Sequence, residues 1–245
     1  MLGKVFRALI SVATNLNRES QIEFEVNIME LNQIEVFLAS PNPQNRIKAL
    51  VALKEYEPDT VVPLLKQRLY DQQFVVRSFV AMGLGNKRTE EGFAALLSLI
   101  EHERDPNVIA EVANSLEKFG PHAIPHLVQL FEANSHWLVR QSIFAALEGV
   151  EPDILLQLCR WGWEGEDRVV KGTAIANLKR LSDTPQAADA LELLIEAAMA
   201  DLPLIRVQAA RSLQAFDHPR AKSALSELRM DSNPQVVGAA LESLV

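Results

Sequence analysis

The side chains that could bind a metal or act in catalysis are few and scattered along this chain. Its histidines are His102, His122, His126, His136 and His218. Only His122 and His126 have the i, i+4 spacing that places two metal ligands on one helix face. Pro125 lies between them and Gly120-Pro121 precedes them, so we expect His122 in a turn. Because no third ligand accompanies the pair, the sequence predicts no metal site.

The single cysteine, Cys159, lies in an apolar-periodic stretch, residues 154–161. A nucleophilic thiol requires a nearby base, and the sequence indicates none, so we expect a buried structural residue. One cysteine cannot form an internal disulfide, which favours a reducing, cytoplasmic setting. Glycine-rich phosphate loops are absent as well. We therefore expect a protein without a cofactor of its own that does not catalyse a reaction unaided.

Composition and charge narrow the class of protein further. Hydrophobic residues make up 48% of the 245 residues and charged residues 23%, which is typical of a folded chain. Aromatic residues are scarce at 6%, and alanine, leucine and glutamate are abundant, which favours helix. The net charge of −8 argues against nonspecific binding to nucleic acid. No apolar run approaches the roughly 18 residues needed to span a bilayer.

An internal repeat is the most informative feature of the sequence. Seven segments begin with an aliphatic residue, often followed by a basic one, and close on a leucine. The closing leucines are Leu53, Leu84, Leu116, Leu147, Leu178, Leu213 and Leu244. They are separated by 31, 32, 31, 31, 35 and 31 positions. This regularity predicts seven structural units of about 31 residues between residues 29 and 245.

Each unit contains two stretches with helical spacing of apolar residues. In the fourth unit these are residues 121–134 and 135–150. Asp105-Pro106, Thr184-Pro185 and Asn233-Pro234 are typical of a capping residue followed by proline at the first helical position. One helix pair cannot bury its apolar face alone, so the pairs are expected to stack into a continuous core.

The segments 139–147 (VRQSIFAAL) and 205–213 (IRVQAARSL) carry the motif V-R-x-x-A-x-x-A-L. With this motif and period, the chain from about residue 29 resembles the short HEAT-like repeats of phycobilisome bilin lyase subunits and their bacterial relatives. The resemblance implies an all-α fold, a right-handed α–α superhelix (α-solenoid). It is specific for the fold and does not select a function.

The resemblance also implies a ladder of ion pairs, which we call the arginine ladder. In such repeats, the basic residue that opens the second helix pairs with an acidic residue in an adjoining turn. By position this role falls on Arg46, Arg77, Arg140, Lys171 and Arg206. Ile109 and Val237 stand at the same position and interrupt the ladder.

The second helices of such solenoids line the concave face. Residues five and two positions before each closing leucine are expected to face solvent there. They are Lys48, Val51, Phe79, Met82, Glu111, Asn114, Ser142, Ala145, Thr173, Ala176, Gln208 and Arg211. Val51, Phe79 and Met82 would form an apolar patch to which a partner could bind. Alternatively, Phe79 and Met82 belong to the core, if the helix phase differs by one residue.

A second candidate contact is the segment of residues 160–167, which combines two tryptophans with two glycines. We interpret it as a connection between helices. Trp161 and Trp163 suit the anchors of a protein interface. Alternatively, they finish a helix and cover the core.

The N-terminal segment differs from the repeats. Residues 1–18 contain Lys4, Arg7 and Arg18 with no acidic residue, and their apolar residues fall on one helical stripe. This predicts an amphipathic helix that caps the first unit, with residues 19–28 as a connector. Alternatively, the helix binds an anionic membrane or the groove of a partner. At the other end, an open face of the last unit predicts self-association.

Two functions remain after this reading. The first is a non-catalytic scaffold or adaptor that binds a protein partner on its concave face. The second, implied by the resemblance, is a bilin lyase subunit or chromophore-detaching factor acting on a phycobiliprotein, with a transiently bound bilin. Lys48, Glu111 and Arg211 are the charged concave residues that could contact a bilin, but they are dispersed along the row.

Overall fold

The computed structural model describes residues 29–147 and 149–242, and within this range the predicted all-α fold is confirmed. Fourteen α-helices form seven consecutive pairs, with no strand in the described residues. The helices are α1 Leu31–Leu38, α2 Pro43–Ala52, α3 Pro58–Lys66, α4 Phe74–Lys87, α5 Glu90–His102, α6 Pro106–Glu117, α7 Ile124–Ala133, α8 Trp137–Ala146, α9 Pro152–Glu164, α10 Arg168–Asn177, α11 Ala187–Ala198, α12 Pro203–Leu213, α13 Pro219–Leu228 and α14 Pro234–Leu241. Odd numbers mark the first helix of each unit and even numbers the second.

The ends of the helices follow local chemistry. The side chains of Asp105 and Asn233 accept hydrogen bonds from the backbone two residues on, at 2.9 Å each, as the Asp-Pro and Asn-Pro pairs predicted. The prediction for Thr184-Pro185 is wrong, because α11 begins three residues after Thr184, behind a turn in which Thr184 accepts from the Gln186 amide. Gly120 has a φ of +67° and ends the third unit, as expected for a helix stop.

The second helices form one contiguous row, in which each contacts its neighbours in the adjoining units. They approach closely: a Cβ built on Gly85 of α4 would lie 2.6 Å from the Ser115 Cβ of α6. The Ser212 hydroxyl of α12 donates to the Ile175 carbonyl of α10 at 3.0 Å. The first helices contact one another much less. Because the second helices pack more closely together than the first helices, they lie on the inner side of the curved solenoid. They therefore line the concave face, as predicted.

The connections inside the units lie together on one edge of the solenoid, which we call the joint edge. They comprise residues 39–42, 67–73, 103–105, 134–136, 165–167, 199–202 and 229–233. The connections between units lie on the opposite edge. The core runs between the two helix rows, and the six closing leucines that the structure describes are at most 3% exposed.

The arginine ladder runs along the joint edge, and three of its rungs are confirmed. Arg46 pairs with Asp71, Arg77 with Glu103 and Arg206 with Asp231, with closest N–O distances of 2.8, 2.5 and 2.6 Å. Each guanidinium also donates to two carbonyls of its own joint, as Arg77 does to residues 71 and 72 at 2.7 and 3.3 Å. Each rung therefore ties two successive joints together.

The ladder prediction is wrong for Arg140 and Lys171, neither of which has a carboxylate within 4.0 Å in the described residues. The acid of each intact rung stands 25 or 26 positions after its arginine. At 25 positions from Arg140 the chain has Gly165, and Glu166, at 26 positions, forms no ion pair with Arg140. Arg140 instead lies over the Phe131 ring, 4.7 Å from its centroid, and Lys171 over the Trp163 ring at 4.9 Å. Aromatic faces thus replace the carboxylates in the middle of the solenoid.

Several predictions concern residues outside the described range. These are the amphipathic cap and membrane contact of residues 1–18, the connector of residues 19–28, and the closing residues 243–245 of the last unit. Self-association through the C-terminal end likewise stays a prediction. No helix in the described part of the chain is long and apolar enough to cross a membrane.

The intact rungs should contribute measurably to stability. Replacing Arg77 by Met leaves the Glu103 carboxylate, whose side chain is 5% exposed, without its guanidinium. We expect the free energy of unfolding in urea to fall by about 3 kcal/mol, because a buried charge loses its partner. Arg160→Met is the control: it breaks the exposed pair with Asp189, and we expect a loss below about 1 kcal/mol. Equal losses in both variants would contradict a structural role for the ladder.

Candidate protein-binding surface

The residues predicted from their positions in the repeat lie in a row on the concave face, and they differ in their exposure to solvent. Lys48 and Arg211 are exposed, and Val51 is 50% exposed. The other members of the predicted site are half-buried: Phe79, Met82, Glu111, Asn114 and Gln208. They all lie on second helices, spread over units one to six. The structure therefore aligns them in a row but does not bring them to one point.

Phe79 and Met82 combine the two alternatives that the sequence left open. Both lie on α4 and are half-buried. The Phe79 ring packs against the core, whereas Met82 is not among the side chains that cover the core. Beside them on the row, Val51 presents an exposed aliphatic surface one unit away. At this end of the concave face Val51 is thus the most exposed of the three apolar residues, and Phe79 and Met82 are partly covered.

The charged residues of the row differ in their availability. Arg211 forms a two-pronged ion pair with Glu242, directly after α14, with N–O distances of 2.9 and 3.1 Å. Lys48 has no ion pair in the described residues. Because the Arg211 guanidinium is already bound within the row, it is a poorer partner for an added carboxylate or propionate than the sequence indicated.

Glu111 occupies the middle of the row on α6. Burial raises the pKa of its carboxyl to about 7, and the opposing effects of the Lys118 ammonium and the Asn114 amide are smaller. A raised pKa of this kind means that the protonated form is favoured near the surface of the groove. Glu111 therefore changes its charge close to neutral pH.

The interpretation of residues 160–167 as a connection is wrong, because α9 continues to Glu164 and includes both tryptophans. Gly162 stands inside the helix since a Cβ there would lie 2.9 Å from the Ala174 Cβ of α10. Trp161 is half-buried and stacks on Phe131, with ring centroids 6.4 Å apart. The Trp163 indole N–H donates to Glu196 at 3.0 Å. Both rings hold neighbouring units together.

Sequence reasoning missed most of the exposed large apolar side chains, because eight of those in the described residues lie on the joint edge, whereas Val36 lies on α1. The eight lie in the joints or in the first two residues of a second helix: Tyr70, Phe74, Val75, Trp137, Val169, Met199, Leu204 and Met230. None of the exposed large apolar residues in the described chain lies in a connection between units. The signal was present in the repeat, because Val75, Val169 and Leu204 each stand nine positions before a closing leucine. The solenoid thus has one apolar and one polar edge.

The remaining candidates for chemistry have structural surroundings. Cys159 is fully buried, and burial raises the pKa of its thiol to about 12. His122 lies in the 3₁₀ turn Gly120–Ala123, as expected, and the His126 ring packs edge-on against Phe93. No group of three or more potential metal ligands occurs in residues 29–147 and 149–242.

Stacked helix pairs of about 31 residues, with a ladder of ion pairs along one edge, define the class of helical-repeat solenoids. The family model for HEAT repeats matches residues 62–148 and 153–245, and the chain belongs to this family. The predicted HEAT-like class is thereby confirmed. A comparison with curated proteins finds no match.

Solved structures show the same fold at low sequence identity. The complex of CpcE and CpcF of phycocyanin lyase from Nostoc is 20% identical, over 92% of this chain and 100% of that one, with a TM-score of 0.50. Kap121p bound to Pho4p is 13% identical, over 87% of this chain and 29% of that one, with a TM-score of 0.54. Human deoxyhypusine hydroxylase is 16% identical, over 89% and 96%, with a TM-score of 0.44. The first two structures, with TM-scores of 0.50 and 0.54, support the fold and, at these identities, nothing beyond it.

The raised pKa of Glu111 predicts a pH-dependent stability. The folded carboxyl retains its proton to about pH 7, whereas the unfolded one loses it near pH 4.5, so the folded state binds more protons between these values. The free energy of unfolding should therefore fall as the pH rises through this window, by about 1–2 kcal/mol after allowance for solvent screening. We expect Glu111→Gln to remove this loss in urea titrations at about pH 5 and pH 8. An unchanged pH profile in the variant would contradict the assignment.

Proposed function

We propose that the protein is a non-catalytic scaffold or adaptor that binds a protein partner along the concave face and the adjoining joint edge. The observation that carries the proposal is the one-sided distribution of exposed apolar side chains. Monomeric proteins rarely leave such surface uncovered without a binding role. Val51 on the concave face and Val169, Met199, Leu204 and Met230 on the joint edge are between 50% and 82% exposed.

The surface is extended, and this suits a macromolecular partner. On the joint edge, at least one exposed apolar residue occurs in each unit from the second to the seventh except the third. A repeat solenoid presents such a row without a central cavity, and its binding surfaces are long rather than deep. A polypeptide lying along the solenoid could contact several units at once. We place this activity in the cytoplasm because of the single cysteine.

A bilin-related activity is the competing hypothesis. In the described residues the charged concave groups remain spread over several units, and Arg211 is bound to Glu242. A tetrapyrrole would require cationic groups for its propionates at one place. The geometry therefore favours the adaptor, and the test below is arranged so that a bound pigment would be seen.

The test compares partner capture by variants that add a charge without disturbing the core. Val51→Glu on the concave face and Leu204→Glu on the joint edge replace residues that are 50% and 58% exposed, so both should fold normally. We expect a protein recovered from a native lysate by the wild type to be lost or reduced about tenfold or more with these variants, since a carboxylate would be desolvated in the contact. Quantitative mass spectrometry of the eluates measures this.

The matched control is Ser226→Glu, which adds the same charge on the exposed side of α13. It should recover the partner like the wild type. Equal recovery with all three variants would place the binding site elsewhere and contradict the proposal. A coloured eluate, or an absorbance change when free bilin is added to the pure protein, would instead support the pigment-handling hypothesis.

A further inference from the structure

The incomplete rungs of the arginine ladder differ from the intact ones in a way that concerns binding. Arg77 and Arg206 each direct Nε and one terminal nitrogen to a carboxylate, with N–O distances between 2.5 and 2.9 Å. The hydrogen bonds to Glu103 and Asp231 raise the pKa of these two arginines. For Arg140 the only effect is burial, which lowers the pKa of its guanidinium. Arg140 thus has the position of a ladder residue without the anion.

The orientation of Arg140 leaves its charged end available. Its Nε donates to the carbonyls of Phe131 and Asn134, at 3.2 and 2.9 Å. The two terminal nitrogens have no hydrogen-bond partner in the described residues, yet they are not buried. One of them lies 3.0 Å from the position that a Cβ of Gly165 would occupy. The guanidinium therefore lies against the glycine, with a pair of free donors open to solvent.

The ring system beneath Arg140 holds this fork in place. The guanidinium lies over the ring of Phe131. This ring is fully buried and stacks on Trp161. A side chain fixed in this way loses little rotamer entropy when it binds an anion. A planar guanidinium with two parallel N–H donors matches the two oxygens of a carboxylate.

Exposed apolar residues lie on the joint edge in the unit of Arg140 and in the two units that follow. Trp137 stands one helical turn before Arg140 on α8, and it is 36% exposed. Val169 follows Gly165 by four residues, and its carbonyl accepts a hydrogen bond from Gln141 of α8 at 3.2 Å, so α8 and the start of α10 are adjacent. Leu204 occupies the position of Val169 in the next unit. The fork therefore lies on the edge that carries the exposed apolar residues.

Other charges nearby limit what can bind. Glu164 and Glu166 flank Gly165 and are exposed, and Asp167 caps α10 by accepting from the amides of residues 169 and 170. Arg168 is also exposed, and the Lys171 ammonium donates to the Trp163 carbonyl at 2.8 Å. The edge has no large net charge at this point. The exposed carboxylates of Glu164 and Glu166 would nevertheless repel a strongly acidic segment, but not one carboxylate directed at Arg140.

We propose that Arg140 receives one aspartate or glutamate side chain of a protein partner, whose flanking apolar residues pack on Trp137, Val169 and Leu204. The partner's carboxylate completes the rung that Gly165 leaves open. This inference rests on the proposed function, because it specifies the chemistry of the partner that the scaffold binds.

One substitution can supply the missing anion from within the chain. Gly165 has φ −65° and ψ 173°, a backbone conformation that other residues adopt, and the only tight contact of an added Cβ on a side chain is with the end of Arg140. In Gly165→Asp the new carboxylate should pair with Arg140 as Asp71 does with Arg46. We expect this variant to unfold at the same or a higher temperature than the wild type and to lose partner binding. Loss of binding without loss of stability separates a blocked site from a damaged fold.

The probe is a displayed library of random peptides, selected on the full-length wild type and counter-selected on Gly165→Asp. We expect the enriched peptides to share one acidic residue flanked by apolar residues. A synthetic copy in which that residue is changed to its amide should bind about tenfold to hundredfold more weakly by fluorescence anisotropy, because a charge-assisted hydrogen-bonded pair is lost. Arg140→Met should show the same loss, and Arg140→Lys a smaller one, since lysine keeps the charge without the fork.

Arg160→Met serves as the control, because it removes a cation from the same region but from an exposed pair on a first helix. It should bind the selected peptides like the wild type. Peptides that lack a shared acid, or that bind Gly165→Asp and Arg140→Met with unchanged affinity, would overturn the carboxylate site and leave the scaffold function standing. If nothing is enriched over an unrelated helical solenoid, both proposals fail.

Discussion

The guanidinium clamp of the arginine ladder is the interaction on which the regular stacking of this solenoid depends. Each intact clamp holds two carbonyls of its own joint and the acid of the next joint at once, as Arg206 does with residues 200, 201 and 231. Apolar packing alone is tolerant of sliding and rotation between units. A guanidinium with fixed partners in two joints does not tolerate such movements, because its hydrogen bonds require a narrow range of distances and angles. The clamps therefore set the spacing and the phase of successive units, while burial of leucines supplies most of the stability.

Where clamps occur, the position of the acid follows the length of the unit. Arg46 and Arg206 reach an aspartate 25 residues later, and Arg77 reaches a glutamate 26 residues later, where the unit is one residue longer. The longest spacing, from Leu178 to Leu213, follows Lys171, which forms no ion pair in the described residues although Glu196 stands 25 positions later. Where the clamp is missing, the contacts of Trp161 with Phe131 and of Trp163 with Glu196 join neighbouring units.

Periodicity predicted the helix pairs, the buried leucines and the face that each second helix presents, because these depend on residues close together in the chain. Periodicity failed where the role of a residue depends on a contact with a residue that is distant in the sequence. Gly162 and the two tryptophans suggested a loop, yet the glycine serves the approach of Ala174 within an unbroken helix. The open rung could not be predicted from the sequence alone. Gly165 stands 25 residues after Arg140, but the structure was needed to show that the acid of a rung stands at this distance. The exposed apolar residues of the joint edge likewise recur at fixed repeat positions, but only the concave positions were considered as a binding surface.

A repeat protein makes its exceptions informative, because each position is repeated in several units and departures stand out against the others. Natural sequences tend to break local rules where function requires it. Here two ladder cations of the middle units, Arg140 and Lys171, form no ion pair in the described residues, and exposed apolar residues lie on the same edge. Arg140 lies over a buried ring, and its terminal nitrogens have no hydrogen-bond partner in the described residues. This is the arrangement expected of a residue whose anionic partner comes from another molecule.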